Sequence, residues 1–259
     1  MPRPLVMGVL NVTPDSFSDG GRWLDPDAAV AHGLALAAEG ADVVDVGGES
    51  TRPGAEPVAE DEELRRVLPV ISALTGHVRV SVDTRRAGVA EQAVAAGATL
   101  VNDVSASLWP VVAAAAGSGS GVGWVAMHMR GEPRTMQQAP AYDDVVAAVR
   151  EFLVARAAAA RDAGVEEVWI DPGIGFGKTA AHNWTLLRGL RTLTTTGWPV
   201  LVGASRKSFL GPVSDGAPAD DRLEASLAVA VWAADQGAAM VRVHDVRPTV
   251  QALRLLEAS

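Results

Sequence analysis

Residues 79–103 read RVSVDTRRAGVAEQAVAAGATLVND, and this stretch contains the unit from which the whole chain is built. The short runs at its two ends, 79–83 and 99–103, are rich in valine and threonine and predict strands. The alanine-rich segment 86–96 predicts a helix, and Gly97 ends it because glycine tolerates the left-handed conformation found after helices. A strand, a helix and a second strand in this order predict two parallel strands joined by a crossover helix.

The same unit recurs along the chain on both sides of this stretch. The other predicted strands are residues 5–10, 42–46, 123–127, 167–171, 199–203 and 240–244. The other predicted helices are residues 26–39, 61–74, 110–116, 144–163, 181–194, 220–236 and 248–258. Eight such units predict an α/β fold with one domain over residues 1–259, a closed (β/α)8 TIM barrel. An open doubly wound sheet is the alternative that this pattern leaves open.

The composition excludes several classes of protein. Hydrophobic residues make up 48% and charged residues 20% of the chain, which is too apolar for a disordered protein, and the absence of cysteine excludes a disulfide scaffold. No apolar run reaches the roughly 18 residues of a membrane-spanning helix. The first residues lack the features of a signal peptide, so we expect a cytoplasmic protein.

The net charge of −9 argues against partners such as nucleic acid or an anionic membrane, because both require a basic surface. A local cluster of arginine and lysine could still hold a small anionic substrate. The chain has 22 basic residues, of which only Lys178 and Lys207 are lysines. Each of these two lysines therefore needs an explanation.

Polar side chains gather where the predicted strands end. They are Asn11, residues 49–52, Asp83, residues 102–103, His128, Asp171, residues 205–207 and residues 244–245. Active sites of TIM barrels lie at the carboxyl ends of the strands. The sequence therefore predicts one functional site at this end of the barrel.

The predicted last strand carries Arg242 and His244 on the same face, because side chains alternate along a strand. A structural salt bridge with Asp245 or Glu257 is one explanation for these residues. The other is a binding role, since a guanidinium and an imidazole can stack on a flat ring and donate hydrogen bonds to phosphate.

Asp83, Asn102 and Asp171 each lie at the end of a predicted strand. Carboxylates in such positions could bind a metal ion. Two carboxylates beside an amide also match the adjacent N–H donors of a heterocycle such as a pterin or guanine. The mixture of donors and acceptors favours the heterocycle over the metal.

Two loops near the predicted site are candidates for binding phosphate. Lys207 lies in loop 203–209, whose polar surroundings favour anion or ring binding over a Schiff-base lysine, which needs an apolar setting. The glycine-rich stretch 171–179 resembles a phosphate-binding P-loop but has Pro172 where that motif requires glycine. We interpret its glycines as letting the backbone approach a ligand, with Phe176 as an apolar wall.

Taken together, the motifs resemble those of the dihydropteroate synthase family. The matching blocks are residues 11–21 (NVTPDSFSDGG), 45–54 (DVGGESTRPG), 81–84 (SVDT), 102–104 (NDV), 127–137 (MHMRGEPRTMQ), 171–179 (DPGIGFGKT), 203–210 (GASRKSFL) and 242–246 (RVHDV). They occur in order over nearly the whole chain. One departure is at residues 106–107, which are Ala-Ser where the family usually has a glycine pair.

This resemblance implies a transferase that joins 4-aminobenzoate to 6-hydroxymethyl-7,8-dihydropterin diphosphate and releases 7,8-dihydropteroate and diphosphate. The residues expected to bind the pterin are Asp83, Asn102, Val104, Met127, Asp171, Gly203, Lys207 and Arg242. Those expected to bind 4-aminobenzoate are Thr51, Arg52, Pro53, Phe176 and Ser208. Those expected to bind the diphosphate are Asn11, Arg242 and His244, and Asn11 is also expected to contact the Mg²⁺ that the diphosphate brings.

The resemblance also implies the catalytic residues. They are Lys207, Arg242, His244, Arg52 and Asp83. We expect the diphosphate to depart early from the pterin CH₂ group, with Mg²⁺ and the basic side chains stabilising its charge and with no covalent enzyme intermediate. Closure of the long loops 11–22 and 47–57 would keep water away from the reacting carbon.

The resemblance further implies a homodimer and inhibition by sulfonamides. An alternative with the same barrel and pterin site is the pterin-binding module of a corrinoid methyltransferase, which would bind methyl-folate without diphosphate chemistry. The first-loop motif and residues 205–207 favour the synthase. A synthase-like paralogue with a scaffold role is a second alternative, although all the matched polar positions are filled.

Overall fold

The computed structural model describes residues 3–13, 25–50, 57–117, 119 and 121–257. Within these ranges, each run that was predicted to be a strand contains one. The strands are β1 (Leu5–Asn11), β2 (Val43–Gly47), β3 (Arg79–Asp83), β4 (Leu100–Asp103), β5 (Gly123–Met127), β6 (Val168–Asp171), β7 (Leu201–Val202) and β8 (Met240–Val243). Neighbouring strands are parallel, and their order in the sheet is β6-β5-β4-β3-β2-β1-β8-β7.

A backbone bridge joins the two edge strands of this order. Ile170 of β6 pairs with Val200, the residue before β7, and the Ile170 N–H donates to the Pro199 carbonyl at 3.0 Å. The two ends of the sheet are therefore brought together. The (β/α)8 barrel predicted from the sequence is confirmed, and the open doubly wound sheet is excluded.

Helices lie between the strands and cover the outside of the barrel. They are α1 (Pro26–Ala38), α2 (Glu60–Leu74), α3 (Ala87–Ala95), α4 (Trp109–Gly117), α5 (Val145–Asp162), α6 (Ala180–Arg188), α7 (Arg191–Thr194), α8 (Leu223–Asp235) and α9 (Val246–Leu253). Asp25 and Asp144 cap α1 and α5 by accepting backbone N–H groups that the start of a helix leaves unpaired. None of the described helices has both the length and the apolar character needed to cross a bilayer.

The barrel interior is apolar in its lower layers and polar towards the carboxyl ends of the strands. The interior apolar cluster consists of Met7, Val43, Leu100, Val125, Trp169, Leu201 and Met240. Because side chains alternate along a strand, the next residue on the interior face is Asp45 after Val43 and Arg242 after Met240. A second, larger apolar cluster packs between the strands and the helices. The alternation of side chains thus places a polar layer next to the interior apolar cluster, on the side of the carboxyl ends of the strands.

Three predicted elements differ from the structure. The predicted helix 181–194 is divided into α6 and α7 at Gly189, which ends α6 with a ψ of 10°, outside the α-helical range, and which packs closely against α5, where an added Cβ would lie 3.0 Å from Val146 Cγ2. The predicted strand 199–203 shortens to β7, since only two of its residues pair in register with β8. The predicted last helix, 248–258, is replaced by α9 and a short 3-10 turn, Arg254–Leu256.

Candidate active site

The side chains predicted to bind ligands lie at one end of the barrel. Asn11, Asp83 and Asp171 are the last residues of β1, β3 and β6. Arg242 lies one residue before the end of β8, and Lys207 lies in the loop after β7. Because all strands are parallel, their carboxyl ends form a single rim that carries these groups.

Arg242 is the centre of the polar layer. Its Nε donates to Asp45 Oδ2 at 2.6 Å, and its Nη2 donates to Asp83 Oδ2 at 2.8 Å. Asn102 Nδ2 donates to the same Asp45 oxygen at 2.9 Å. One guanidinium and its carboxylate partners therefore connect β8 to β2, β3 and β4.

The structural explanation that the sequence left open for Arg242, a salt bridge with Asp245 or Glu257, is wrong. Arg242 pairs with carboxylates across the barrel interior. Asp245 instead accepts from Nε and Nη2 of Arg206 at 3.0 and 2.6 Å. The cause is the direction of the Arg242 side chain, which points into the barrel rather than along the chain.

Burial makes two carboxyl groups of this layer difficult to ionise. It raises the pKa of Asp83 to about 7, against the effect of the Arg242 charge and with a further rise from Asp45. It raises the pKa of Asp171 to about 6, although the Gly173 N–H donates to Asp171 Oδ1 at 2.7 Å and opposes the rise. Both groups would be better stabilised as carboxylates by a ligand that donates hydrogen bonds to them.

Lys207 completes the charged cluster from the side of the loops. Its Nζ lies 3.9 Å from the centroid of the Phe176 ring, which is a cation–π contact. Burial lowers the pKa of Lys207 to about 8, and the Arg242 charge lowers it further, while Asp171 and Asp83 oppose the change. These four charged side chains interact with one another and form one cluster.

Gly203 keeps the centre of this cluster open. A Cβ added there would lie 3.7 Å from Arg242 Cβ and 3.9 Å from Asp171 Oδ2. Any larger side chain would fill the space between the guanidinium and the carboxylate. Glycine at this position therefore leaves room for a ligand.

Three buried polar atoms of this layer have no hydrogen-bond partner among the described residues. They are Asp45 Oδ1, Ser81 Oγ and Asp83 Oδ1. Leaving a buried acceptor unpaired costs about 1–3 kcal/mol, so such groups are rare unless they have a function. The layer can therefore accept several N–H groups from a flat ligand and offer cations to an attached anion.

Comparison with known proteins agrees with this chemistry. A family profile for pterin binding enzymes matches residues 7–244. The dihydropteroate synthases of Mycobacterium leprae and Escherichia coli are 51% and 46% identical over 98% and 99% of this chain, and the matches cover 92% of each relative. The solved structure of the Xanthomonas albilineans dihydropteroate synthase with 4-aminobenzoic acid has a TM-score of 0.90 at 49% identity, covering 99% of this chain and 93% of that one.

The chain belongs to the dihydropteroate synthase family. Other residues carried over from the family also lie near the rim. Val104 and Met127 are buried next to the ends of β4 and β5. Phe176 and Ser208 lie in the loops that follow β6 and β7, and His244 directly follows β8. The structure thus brings the described members of the predicted site to the same end of the barrel.

Part of the site predicted for this synthase family lies outside the described residues. Thr51, Arg52 and Pro53 belong to this part, and so do residues 14–24 of the first loop. The predictions of 4-aminobenzoate contacts by these three residues, and of loop closure, therefore remain predictions.

Asp45, which lies in one of the motifs of the synthase family, is a functional residue that was not predicted from the sequence. Every residue of its strand is buried, so the run VVDVG indicated only a core strand. The available signal was the position of Asp45, two residues after Val43 on the interior face. A charge at that position in a barrel strand needs a partner, and Arg242 is that partner.

A network around Arg86 was also missed. Its guanidinium pairs with Glu63 and with Glu49, at 3.1 Å from Oε1 of the latter. The same Glu49 oxygen accepts the Val58 N–H at 3.1 Å. Glu49 and Val58 flank residues 51–56, so the network fixes the chain on both sides of the predicted 4-aminobenzoate segment.

Lys178 supports the loop after β6 instead of facing a ligand. Its Nζ donates to the carbonyl oxygens of His128, Gly173 and Phe176 at 3.1, 2.9 and 3.0 Å. Burial lowers the pKa of Lys178 to about 7, and Asp171 opposes the change. His128 Nδ1 also lies 3.0 Å from this Nζ, so four polar atoms surround the N–H donors of the lysine.

The interpretation of the loop glycines was wrong for two of them. A Cβ at Gly173 would overlap the carbonyl of His128, and a Cβ at Gly177 would overlap the backbone of Arg130. These glycines let two loops of the synthase-family barrel pack backbone to backbone. Their positive φ angles, 63° and 60°, also favour glycine.

Proposed function

We propose that this chain joins 4-aminobenzoate to 6-hydroxymethyl-7,8-dihydropterin diphosphate, producing 7,8-dihydropteroate and diphosphate for folate biosynthesis. The observation that carries the proposal is the Arg242 cluster with its unpaired buried oxygens, which combines acceptors for a pterin edge with cations for a diphosphate. Solved family members carry 4-aminobenzoic acid in one case and 7,8-dihydropteroate in another, both from Xanthomonas albilineans.

The pterin edge presents adjacent N–H donors and ring acceptors. The free oxygens of Asp83 and Asp171 would accept those N–H groups, because Asp83 Oδ1 is unpaired and Asp171 uses only Oδ1 for the Gly173 N–H. Asn102 would supply its carbonyl oxygen as an acceptor, since its Nδ2 is engaged by Asp45. Val104 and Met127 would form apolar walls beside the ring.

The diphosphate would leave with both electrons of the C–O bond, and the pterin CH₂ would carry positive charge that the ring disperses. Arg242, Lys207 and His244 would stabilise the negative charge that develops on the leaving group. The amine nitrogen of 4-aminobenzoate then forms the new C–N bond and loses one proton to the released diphosphate or to water. No enzyme nucleophile is needed, because the bound amine itself attacks the carbon.

The 4-aminobenzoate would lie beside Phe176, with Ser208 and residues 51–53 completing its site. The cation–π contact fixes Lys207 between Phe176 and the acidic groups. Lys207 would therefore contact the pterin on one side and the second substrate on the other. This placement accounts for one of the two lysines in a chain whose other basic residues are arginines.

Mg²⁺ is proposed to arrive with the diphosphate. The described residues contain no group of three or more acidic, cysteine or histidine side chains that could hold a metal ion. Mg²⁺ usually keeps several waters and binds through one or two protein oxygens plus substrate phosphates, which fits a single amide oxygen from Asn11 at the end of β1. The ion would neutralise charge on the leaving diphosphate.

Three further properties follow from family membership and are proposed here. They are a homodimeric assembly, a cytoplasmic location and inhibition by sulfonamides. The structure of the Yersinia pestis dihydropteroate synthase with a sulfonamide drug complex, with a TM-score of 0.90 at 45% identity, supports the last of these. It covers 99% of this chain and 94% of that one. Sedimentation of the purified chain tests the assembly.

A coupled assay tests the reaction. Diphosphate release from the pterin substrate should require both Mg²⁺ and 4-aminobenzoate, and chromatography should show 7,8-dihydropteroate. Lys207→Ala and Arg242→Ala should each abolish turnover while circular dichroism remains native. Diphosphate release that ignores 4-aminobenzoate, binding of methyl-folate without turnover, or near-normal activity of either variant would contradict the proposal.

A further inference from the structure

His244 has a hydrogen-bond partner within the barrel rim that the reaction itself does not explain. The hydroxyl oxygen of Ser205, in the loop after β7, accepts the backbone N–H of His244 at 3.3 Å. The same oxygen lies 3.1 Å from Nδ1 of the His244 imidazole. Ser205 is 6% exposed, so these contacts are sheltered from water.

The pair can be arranged in two ways, because a neutral imidazole carries its hydrogen on either nitrogen. If His244 Nδ1 donated to Ser205, the serine hydroxyl hydrogen would have no acceptor among the residues the structure describes. If Ser205 donates to Nδ1, both groups are satisfied and the hydroxyl oxygen still accepts the backbone N–H. Because an unpaired buried donor is costly, the second arrangement is favoured.

The surroundings of the imidazole keep it neutral. Burial lowers the pKa of His244 to about 3, and the charges of Arg242, Arg206 and Lys207 lower it further while Asp245 opposes them. A neutral imidazole whose Nδ1 accepts a hydrogen bond carries its only hydrogen on Nε2. His244 can therefore donate one hydrogen bond without adding a further charge to the cationic cluster.

We propose that Ser205 is a positioning residue that fixes His244 in the Nε2–H form, so that a neutral imidazole donates to the diphosphate. The proposal rests on the proposed function, in which His244 contacts that group. Without Ser205, the ring would exchange between its two neutral forms and rotate more freely. Only part of the population would then present Nε2–H to the diphosphate.

Three variants separate the contact with His244 from the general effect of a serine hydroxyl in this region. Ser205→Ala removes the donor to His244, and Ser205→Thr retains a hydroxyl. Ser226→Ala is the control, because Ser226 is also 6% exposed and accepts the Arg206 N–H at 3.0 Å without contacting His244. Circular dichroism should remain native for all three.

Nitrogen-15 correlation spectra of the histidine side chains give a readout independent of turnover. The chain has 5 histidines, so the His244 signals can be assigned with His244→Gln. Wild type, Ser205→Thr and Ser226→Ala should show a protonated Nε2 and an unprotonated Nδ1. Ser205→Ala should show averaged signals from both forms.

Binding and kinetics give the second readout. Ser205→Ala should weaken binding of inorganic diphosphate, measured by calorimetry, on the order of threefold, because the apparent affinity falls with the fraction of molecules whose His244 presents Nε2–H to the ligand. The KM for the pterin diphosphate should rise to a similar extent, while the KM for 4-aminobenzoate stays within about twofold. Ser205→Thr should restore most of the loss.

The proposal is overturned if wild-type His244 carries its hydrogen on Nδ1. It is equally overturned if Ser205→Ala leaves both the spectrum and the diphosphate affinity unchanged, or if Ser226→Ala alters them as much. If the spectra and diphosphate affinities are as expected but the enzyme makes no dihydropteroate, the role of Ser205 stands. That result would contradict the proposed reaction instead.

Discussion

Single carboxyl groups at the rim link ligand binding to pH. The pKa of Asp83 rises from 3.8 to about 7 and that of Asp171 rises from 3.8 to about 6, in both cases mainly through burial. Because folding raises their pKa values, these two carboxyl groups contribute fully to stability below pH 3.8. The contribution is lost as the pH rises through about 6 for Asp171 and about 7 for Asp83. The same carboxyls accept hydrogen bonds from a ligand best when they are ionised, so ligand affinity changes in the opposite direction.

We therefore expect pterin affinity to fall as the pH is lowered. Binding of 6-hydroxymethylpterin, which carries no diphosphate that could titrate, should weaken on the order of tenfold between about pH 7.5 and about pH 5.5. Fluorescence titration measures this directly. Glu167→Gln, at the opposite end of the barrel, should show the same pH dependence, and an affinity that stays within about twofold in the wild-type chain would contradict the prediction.

The departure from the family pattern at residue 106 has a backbone cost. Ala106 has a φ of 51°, in the left-handed region that costs a residue with a Cβ roughly 1–2 kcal/mol and costs glycine almost nothing. Ala106→Gly should gain this relief, lose about 0.8 kcal/mol with the buried methyl group and lose about 0.4–1 kcal/mol to the greater freedom of glycine in the unfolded chain, so its free energy of unfolding should stay within about 0.8 kcal/mol of wild type. Denaturant unfolding measures the difference.

The control for this prediction is Ala90→Gly in α3. Both alanines are 0% exposed, so each substitution removes a buried methyl group. Ala90 is helical, and glycine there should lower the free energy of unfolding by about 1–2 kcal/mol. Equal losses for the two variants would show that the positive φ of Ala106 carries no strain.

Sequence reasoning at the residue scale identified side chains but not their pairing. The sequence singles out Asp83 and Asp171 by their places at strand ends and Arg242 by the strand face that it shares with His244, and the structure places the three in one cluster. The Asp45–Arg242 ion pair could not be predicted, because it joins β2 and β8, the two neighbours of β1, and depends on which of their interior residues reach the same height. That height follows from the stagger of the strands and not from any local spacing.

At the scale of elements, the loop after β6 depends on one buried ammonium group. Lys178→Met would leave the carbonyls of His128 and Phe176 without a donor among the described residues, whereas the Gly173 carbonyl would keep the Phe176 N–H at 3.0 Å. Unpaired buried acceptors cost about 1–3 kcal/mol each when no water replaces the donor, so we expect a loss of about 2–4 kcal/mol in the free energy of unfolding. The KM for 4-aminobenzoate should also rise several-fold, because Phe176 belongs to this loop.

Tyr142→Phe is the matched control for this loop. The Tyr142 hydroxyl donates a single hydrogen bond to the Gly177 carbonyl at 2.9 Å, so its removal should cost about 1 kcal/mol. Urea unfolding of both variants measures the ratio. If Lys178→Met is no more destabilised than Tyr142→Phe, the ammonium group does not organise the loop.

Element boundaries were less predictable than element types. The strand and helix types follow from period and composition, as in β3 and α3, where local preference and burial agree. The break between α6 and α7 depends on how closely Gly189 approaches Val146, and the short β7 depends on how many residues pair with β8. Both are properties of packing between elements distant in the sequence.

Considered as a whole, the barrel separates its binding end from a purely structural end. Arg79, the first residue of β3, pairs with Glu167, the residue before β6, through contacts of 3.0 and 2.6 Å. Asp83 and Asp171, the last residues of the same two strands, belong to the ligand cluster. Four residue steps of strand separate the two ends by roughly 13 Å. The alternation of eight units predicted this division from the sequence, because it predicted a closed parallel barrel.

Substitutions at the two ends should therefore have opposite consequences. Glu167→Gln removes the charge that pairs with Arg79, and both side chains are about one-third exposed, at 33% and 30%, so water compensates for part of the loss. We expect the free energy of unfolding to fall by about 1 kcal/mol, with kcat and both KM values within about twofold of wild type. Lys207→Ala should show the reverse, with native-like unfolding and no turnover. Thermal unfolding and steady-state kinetics on both variants measure the two effects. An ion pair roughly 13 Å away along the strands should act on the ligand only through the fold. A large kinetic defect in Glu167→Gln would therefore show that this end of the barrel is coupled to the site.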